Sequence, residues 1–320
     1  MIPDQPLFFE PIFRSYLWGG RRLETSLKKP IPGSGIWAES WEIVDHGSDQ
    51  SVVRNGDWEG WTLRELIEAF PQEILGPAAK NDATFPLLLK YLDCQQVLSV
   101  QVHPDDSYAK QLNPPDLGKT EAWYVIDAQP DSIIYAGLKD GIGEKELEQA
   151  IEDGNVEACL HSFSPQAGDC IFIPAGTVHA LGAGLVVAEI QQASDTTFRL
   201  FDWNRLGNDG KPRPLHIREA LEVIDYSRGP VKPLPDSTDS ANSLLYGCDK
   251  FQLHRWKTST TFDVSSGFHM LTVVSGLARL QHRGMELPLQ LAQSVLLPAA
   301  AREVRLIIDE PAVVLSANVT

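Results

Sequence analysis

Residues 168–179 read Gly-Asp-Cys-Ile-Phe-Ile-Pro-Ala-Gly-Thr-Val-His, and this stretch decides the predicted fold. A glycine turn leads into a short apolar strand at residues 170–173, and a Pro-x-Gly turn ends that strand. The second turn delivers His179 at a fixed offset from a buried strand. We therefore predict a β-rich domain in which a rigid strand and turn position one histidine.

A second group of polar residues lies upstream, in residues 97–103, which read Val-Leu-Ser-Val-Gln-Val-His. Because side chains alternate along a strand, Gln101 and His103 point to one side, while Leu98 and two valines point to the other. Glu121 opens the next predicted strand. A single histidine is more often structural than a ligand, but these polar residues in this order favour a metal site.

One divalent metal ion per chain is the ligand that this group predicts. Its ligands would be Gln101, His103, Glu121 and His179, which offer an amide oxygen, two imidazole nitrogens and a carboxylate. Water would fill a further position. This donor set favours zinc, with manganese and iron as alternatives.

The same residues carry a resemblance to the cupin barrels. The spacing Gly-x5-Pro-x-Gly-x2-His resembles the second cupin signature, and the group from Gln101 to Glu121 resembles the first. The resemblance implies a mainly β fold, a cupin (jelly-roll) β-barrel with a few helical insertions. Two positions depart from the pattern: Gln101 replaces the first histidine of the usual His-x-His, and Ala183 stands where an asparagine is expected.

Period-2 alternation and helical periodicity place the other elements. Further strands are predicted at residues 122–126, 133–135, 170–173, 186–191 and 196–203. Helices are predicted at residues 63–70, behind a capping box from Thr62 to Glu65, and at residues 144–152 and 217–224.

A loop rich in proline, serine and aspartate, at residues 227–242, is the best candidate linker. It divides the chain into a catalytic cupin domain with helical decorations, residues 1–235, and a smaller C-terminal cupin-like β-domain, residues 236–320. The second domain has predicted strands at residues 270–274, 278–281, 294–297 and 304–308. Its Leu-Pro-Ala at 297–299 repeats the Ile-Pro-Ala at 173–175, but no histidine follows, so no metal ligands are expected there.

Composition limits the partners. The 320 residues include 43% apolar and 22% charged residues, which is typical of a folded globular protein. The formal net charge of −16 argues against nucleic acid or an anionic membrane as a partner, and it requires a local cluster of cations for any phosphorylated substrate. Four widely spaced cysteines and the absence of a leader or membrane span favour the cytoplasm. The oligomeric state stays open.

Several longer stretches resemble the type I phosphomannose isomerases in their compact bacterial form, and together they cover nearly the whole first domain. They are Phe-Arg-Ser-Tyr-Leu-Trp-Gly-Gly at 13–20, Trp-Ala-Glu-Ser-Trp-Glu at 37–42, Leu-Ser-Val-Gln-Val-His-Pro-Asp-Asp at 98–106, Gly-Lys-Thr-Glu-Ala-Trp at 118–123, Pro-Ala-Gly-Thr-Val-His-Ala at 174–180 and Glu-Ile-Gln-Gln-Ala-Ser-Asp-Thr-Thr-Phe-Arg-Leu-Phe-Asp-Trp at 189–203.

The resemblance implies a zinc-dependent aldose-ketose isomerase that interconverts mannose 6-phosphate and fructose 6-phosphate through an enediol(ate). It implies that Gln101, His103, Glu121 and His179 hold the zinc. It also implies catalytic roles for Arg199 and Lys119, and contacts of Ser99 and Lys90 with the phosphate and the sugar.

The proton-transferring base is a separate question. Glu189, on the strand after His179, is our first choice; Glu39, which could instead bind substrate, and His46 are alternatives. Each of the cationic residues could instead have no catalytic role. Arg199 could pair with Asp195 or Asp202 for structure alone, and Lys119 and Lys90 could be surface residues.

Two other functions share the barrel, because a fold does not fix a reaction. One is an iron-dependent cupin dioxygenase. The other is a non-catalytic cupin that binds a sugar phosphate.

Overall fold

The computed structural model describes residues 1–79, 83–207, 210–236 and 241–319. Its first thirteen strands are β1 Ile12–Arg14, β2 Glu39–Ile43, β3 Asp45–His46, β4 Asp49–Gln50, β5 Leu87–Cys94, β6 Val100–Val102, β7 Glu121–Ala128, β8 Ile134–Leu138, β9 Leu160–Phe163, β10 Cys170–Ile173, β11 His179–Leu181, β12 Leu185–Gln192 and β13 Phe198–Phe201. The helices are α1 Arg22–Thr25, α2 Leu63–Ala69, α3 Pro71–Leu75, α4 Asp106–Ala109, α5 Glu144–Glu152 and α6 Ile217–Val223, with 3₁₀ turns at Gly56–Trp58 and Val156–Cys159.

Two antiparallel sheets form the first barrel. The six-stranded sheet has the order β1-β2-β5-β12-β7-β10, and the five-stranded sheet has the order β13-β6-β11-β8-β9. A buried apolar cluster joins them, with Leu92, Ile171 and Val187 from the first sheet against Ala136 and Leu181 from the second. The predicted mainly β, cupin-like barrel is confirmed.

The six-stranded sheet is buried on both faces. All eight residues of β5 are buried. Leu92 faces the barrel interior, whereas Leu89 and Tyr91 pack in a cluster with Phe268 and Met270 of the C-terminal part. A strand covered on both faces has no polar alternation, and β5 was therefore missing from the predicted elements.

The C-terminal part forms a second barrel. Its strands are β14 Asn242–Gly247, β15 Gln252–Trp256, β16 Thr260–Phe262, β17 His269–Ser275, β18 Ala278–His282, β19 Met285–Leu289, β20 Ser294–Leu297, β21 Val304–Ile307 and β22 Val313–Asn318. They form sheets of order β14-β15-β22-β17-β20 and β16-β21-β18-β19. Residues 237–240 of the predicted linker lie outside the described residues, and the boundary after residue 235 stays a prediction.

Local signals set several element ends. At α2, the Thr62 side chain accepts from the backbone N–H of Glu65 at 3.1 Å, and the Glu65 carboxylate accepts from the N–H of Thr62 at 2.8 Å, so the predicted capping box is confirmed. The strand predicted at 97–103 was too long. Leu98 packs with a different apolar cluster from Val100 and Val102, and only residues 100–102 are a strand.

Two further observations concern the cysteines and the helices. No disulfide joins the four cysteines. None of the helices in the described ranges is long and apolar enough to cross a membrane.

Candidate active site

Three of the predicted site residues lie side by side on neighbouring strands. Gln101 of β6 is the direct partner of His179 in β11 on one side and of Arg199 in β13 on the other. Residues in one such row point to the same face of a sheet. Glu121 comes from the facing sheet, at the first position of β7. The sheet pairing thus brings together residues that are far apart in the sequence.

His103, Glu121 and His179 form a compact group of potential metal ligands. One donor atom from each lies within 4.8 Å of the others, and all three residues are buried; within the described ranges no other such group of three was found. The Nε2 atom of His179 is 3.3 Å from Oε1 of Glu121, and Nε2 of His103 is 3.7 Å from Oε2 of Glu121. This geometry leaves the three donors converging on one point.

Backbone carbonyls fix the tautomer of both histidines. Nδ1 of His103 donates to the carbonyl of Thr196, and Nδ1 of His179 donates to the carbonyl of Thr177, each at 2.9 Å. A carbonyl oxygen can only accept, so the proton is on Nδ1 and the lone pair is on Nε2. Burial lowers the pKa of His179 to about 4 and that of His103 well below its ordinary value. Both rings are therefore neutral and present lone pairs to the centre.

The donor set fits a divalent cation. Nε2 of His103 is buried and has no hydrogen-bond partner among the described residues. Nε2 of Gln101 lies 3.2 Å from Nε2 of His179. A half-turn of the amide would bring its oxygen to the same place and make Gln101 a fourth donor. An orphaned lone pair at the centre of buried donors is what a metal ion would satisfy.

The loop that carries Thr196 is anchored by Asp116. One oxygen of this carboxylate accepts hydrogen bonds from the Ser194 hydroxyl at 2.9 Å and from the Thr196 hydroxyl at 2.6 Å. The anchored loop presents the carbonyl that orients His103. His46 lies against Asp116, 3.9 Å away, and is not part of the pocket wall.

Two lysines and three carboxylates form a buried cluster beside the metal ligands. Lys90 and Glu189 are direct partners across β5 and β12, and the lysine Nζ lies 3.2 Å from Glu189 and 3.7 Å from Glu39. Lys119 lies 3.1 Å from Glu121 and 3.8 Å from Glu189. The cluster has a formal charge of −1, so a divalent cation among the ligands would leave a net charge of +1.

Mutual electrostatics decide the ionisation of this cluster. Burial acts to lower the pKa of Lys90, but Glu189 and Glu39 outweigh it and raise the pKa. Burial acts to raise the pKa of Glu189, but Lys90 and Lys119 outweigh it and lower the pKa. For Glu121, burial and the nearby Glu189 raise the pKa, because the two lysines compensate only in part.

The pocket above these groups has a volume of about 290 Å³. Its wall includes all the predicted site residues except His103. Sequence reasoning missed other residues on the wall: Tyr16, Trp18, Asp195, Thr197 and Arg213. Tyr16 and Trp18 were within a stretch that carried the family resemblance, and Asp195 and Thr197 neighbour Arg199, so local signals were available for these four.

Arg199 faces the pocket without pairing with either aspartate that could have held it. Its Nε donates to the Ser99 hydroxyl at 3.3 Å, and its Nη1 donates to the carbonyl of Pro214 at 2.9 Å. Asp202 instead binds Arg205 and Arg213.

Comparisons with known proteins identify the family of this chain. The family model described as phosphomannose isomerase type I, catalytic domain, matches residues 7–129. The probable mannose-6-phosphate isomerase GmuF of Bacillus subtilis is 37% identical over 299 residues, 92% of this chain and 93% of that protein. Mannose-6-phosphate isomerase ManA of the same organism is 36% identical over 310 residues, 95% of this chain and 96% of that protein.

A solved structure is similar to this chain over the whole fold. The crystal structure of the mannose 6-phosphate isomerase from Bacillus subtilis has a TM-score of 0.88 and 31% sequence identity to this chain, and the match covers 98% of this chain and 99% of that one. The chain belongs to the type I phosphomannose isomerase family.

Proposed function

We propose that this protein is a metal-dependent isomerase that interconverts mannose 6-phosphate and fructose 6-phosphate. The observation that carries the proposal is the pocket in which two neutral imidazole lone pairs and Glu121 converge beside Glu189 and Arg199. Relatives named mannose-6-phosphate isomerase match this chain over most of their length, and their name supports mannose 6-phosphate as the substrate.

One zinc ion per chain, held by Gln101, His103, Glu121 and His179, is the proposed cofactor. Two imidazoles with a carboxylate are typical zinc ligands. When bound, the ion would act as a Lewis acid that stabilises negative charge on a substrate oxygen. The carbonyls of Thr196 and Thr177 would keep both rings in the tautomer that binds metal.

Glu189 is the proposed base. It is buried, lies on the pocket wall and is held by Lys90 at 3.2 Å. Its carboxylate would remove the proton from C2 of the open-chain aldose phosphate and return it to C1, through an enediol(ate), while O1 gains a proton and O2 loses one. Lys90 and Lys119 on either side would keep the carboxylate ionised in a buried place, where an unpaired charge would be costly.

The contacts of the cations lead us to revise the phosphate site expected from the sequence. Lys90 and Lys119 are each paired with buried carboxylates, which leaves their ammonium groups less available to a phosphate. Ser99 and Arg199 lie together on the same wall, and the hydrogen bonds of Arg199 go to Ser99 and to the carbonyl of Pro214. We assign the phosphate to Ser99 and Arg199, because a guanidinium and a hydroxyl can donate to its oxygens together.

A coupled assay tests the function. Purified protein supplied with mannose 6-phosphate should form fructose 6-phosphate, and a chelator should abolish the reaction until zinc is restored. Failure of the untreated protein to form fructose 6-phosphate would refute the proposal. Oxygen consumption that depends on Fe(II) would instead indicate the dioxygenase, and sugar-phosphate binding without turnover would indicate a binding protein.

The base is tested by Glu189→Gln, with Glu39→Gln as the matched control on the other side of Lys90. The Glu189 variant should lose exchange of the C2 proton with solvent, while it keeps its metal and binds mannose 6-phosphate. The Glu39 variant should retain exchange. The reverse pattern would make Glu39 the base, and retention of exchange in both variants would exclude the two residues.

A further inference from the structure

Two groups of charged residues contribute to the pocket. In the group around the proposed metal ligands, three carboxylates are paired with two lysines. In the second group, Arg199 and Arg213 line the wall, and Arg205 and Arg213 share a single acid, Asp202. Three guanidinium groups and one carboxylate leave a formal charge of +2 in a chain whose net charge is −16. Asp195 is the remaining carboxylate on the wall, and its charge contributes to raising the pKa of Tyr16 and of Lys90.

Arg213 is held rigidly while it keeps hydrogen-bonding capacity. Its Nε and Nη2 donate to the two oxygens of Asp202, at 2.8 and 2.5 Å. This side-on contact leaves Nη1 without a hydrogen bond among the described residues. The side chain is 20% exposed and lines the pocket. A planar guanidinium fixed in this way is suited to an oxyanion.

The backbone keeps Arg213 beside Arg199. Nη1 of Arg199 donates to the carbonyl of Pro214, the residue after Arg213. The backbone N–H of His216 donates to the carbonyl of Arg199 at 2.8 Å, and the N–H of Arg199 donates to Nδ1 of His216 at 3.2 Å. The segment from Arg213 to His216 therefore runs along β13 at the position of Arg199. These bonds hold the two arginines next to each other.

A turn in a strained conformation fixes Asp202 next to Ser99. Trp203 and Asn204 have φ values of 56° and 54°, in the left-handed region that a tryptophan seldom adopts. Nε1 of Trp203 donates to the carbonyl of Leu98 at 2.6 Å, and Nη1 of Arg205 donates to the carbonyl of Val97 at 2.5 Å. These bonds attach the turn to the segment that leads into Ser99. Asp202 is therefore a positioning residue for Arg213.

We propose that Arg213 binds the phosphate of the substrate together with Arg199, and so makes the enzyme prefer a phosphorylated hexose to the free sugar. This inference rests on the proposed function, since it assigns the substrate's phosphate to the arginines of the same pocket. A free hexose carries a neutral hydroxyl where the phosphate would be, and it gains little from two guanidinium groups.

The experiment compares Arg213→Ala and Arg213→Gln with Arg218→Ala. Arg218 is the control, because it carries the same charge, pairs with Glu222 at the surface and is not part of the pocket wall. We expect both Arg213 variants to raise the KM for mannose 6-phosphate and the inhibition constant of inorganic phosphate by about tenfold or more, the effect of losing a charge-assisted hydrogen bond. The kcat should change less than about threefold, and Arg218→Ala should leave all three values near those of the wild type.

Each outcome decides the question. If Arg213→Ala does not fold, Arg213→Gln still tests the proposal, because glutamine can donate to Asp202 without carrying charge. Unchanged KM and unchanged phosphate inhibition in a folded Arg213 variant would overturn the inference, and so would an equal effect of Arg218→Ala. If the wild type has no isomerase activity, the proposed function fails, and calorimetric titration with inorganic phosphate still measures whether Arg213 binds the anion.

Discussion

The two barrels have matching sheets but different interiors. In the first, β10 ends at Ile173, which pairs with Glu121; in the second, β20 ends at Leu297, which pairs with His269. The sheets extend from this pair in the same order, β5-β12-β7-β10 and β15-β22-β17-β20. Equivalent positions can therefore be compared by register.

The registers show how two polar groups of the first barrel are replaced. Glu189, the partner of Trp123, corresponds to Ser316, the partner of Leu271. His179, which pairs with Gln101, corresponds to Val304, which pairs with Phe262. Apolar side chains fill the second interior, among them Leu271, Val273, Leu297 and Val304. The same architecture can thus be closed by an ordinary core.

This difference indicates how much stability the first barrel loses by holding charged groups in its interior. A buried ionic cluster is costly to desolvate and often contributes less to stability than an apolar core of the same size. The second barrel demonstrates that such a core fits these sheets. We infer that the charges of the first barrel serve the reaction, while the second barrel contributes stability and supports the back of β5 through Tyr91, whose hydroxyl is hydrogen-bonded to Thr272.

The largest expected effect comes from removing a ligand of the first barrel. His179→Ala should lose the metal and reduce kcat/KM by about a thousandfold or more, because the centre supplies several kcal/mol of charge stabilisation. Elemental analysis and the isomerase assay measure both. In the second barrel, His269→Leu is the matched variant and should keep metal and activity. Full metal occupancy in His179→Ala would contradict the ligand assignment.

An intermediate effect is expected when the apolar core of the second barrel is truncated. Leu297 is fully buried, and Leu297→Ala should lower the free energy of unfolding by about 2–5 kcal/mol through lost burial and a cavity. Denaturant unfolding measures this change. Below the unfolding transition, kcat should stay within about twofold of the wild type. A large loss of kcat in the folded variant would show that the second barrel takes part in the reaction itself.

The sequence was sufficient for the parts of this comparison that depend on local spacing. The turn from Ile173 to His179 fixes where the histidine falls, and the repeated Leu-Pro-Ala at 297–299 without a following histidine predicted a second barrel lacking metal ligands. Within the described residues, the one group of three potential ligands lies in the first barrel.

Local sequence patterns could not predict which distant residues lie next to each other. Lys90 lies on β5, a strand hidden by its burial on both faces, and its neighbour Glu189 is on β12. The sequence therefore could not reveal that the lysine is surrounded by carboxylates. Arg213 reaches the pocket from a loop after β13, held by Asp202. No spacing rule connects that loop to Ser99.

The smallest expected effect is an acid sensitivity of the second barrel. His269 occupies the position of Glu121, packs against Phe262 with ring centroids 5.2 Å apart, and has a pKa that burial lowers to about 4. Of its charged or titratable neighbours, His254 also lowers this pKa, and Asp263 opposes the shift. The ordinary pKa of histidine is near 6.5, so the unfolded chain binds a proton that the folded protein excludes. The stability contribution is present above about pH 6.5 and declines as the pH falls towards 4.

His269→Leu should remove this dependence. Between pH 7.5 and pH 5 the wild type should lose about 1–2 kcal/mol more of its unfolding free energy than the variant does, because only the wild type has this histidine to protonate. Urea unfolding at the two pH values, with metal-free protein so that loss of ligands in the first barrel does not contribute, measures the difference. Equal losses in both proteins would mean that His269 is protonated as readily in the folded state as in the unfolded chain. The burial that distinguishes it from a surface histidine would then have no energetic consequence.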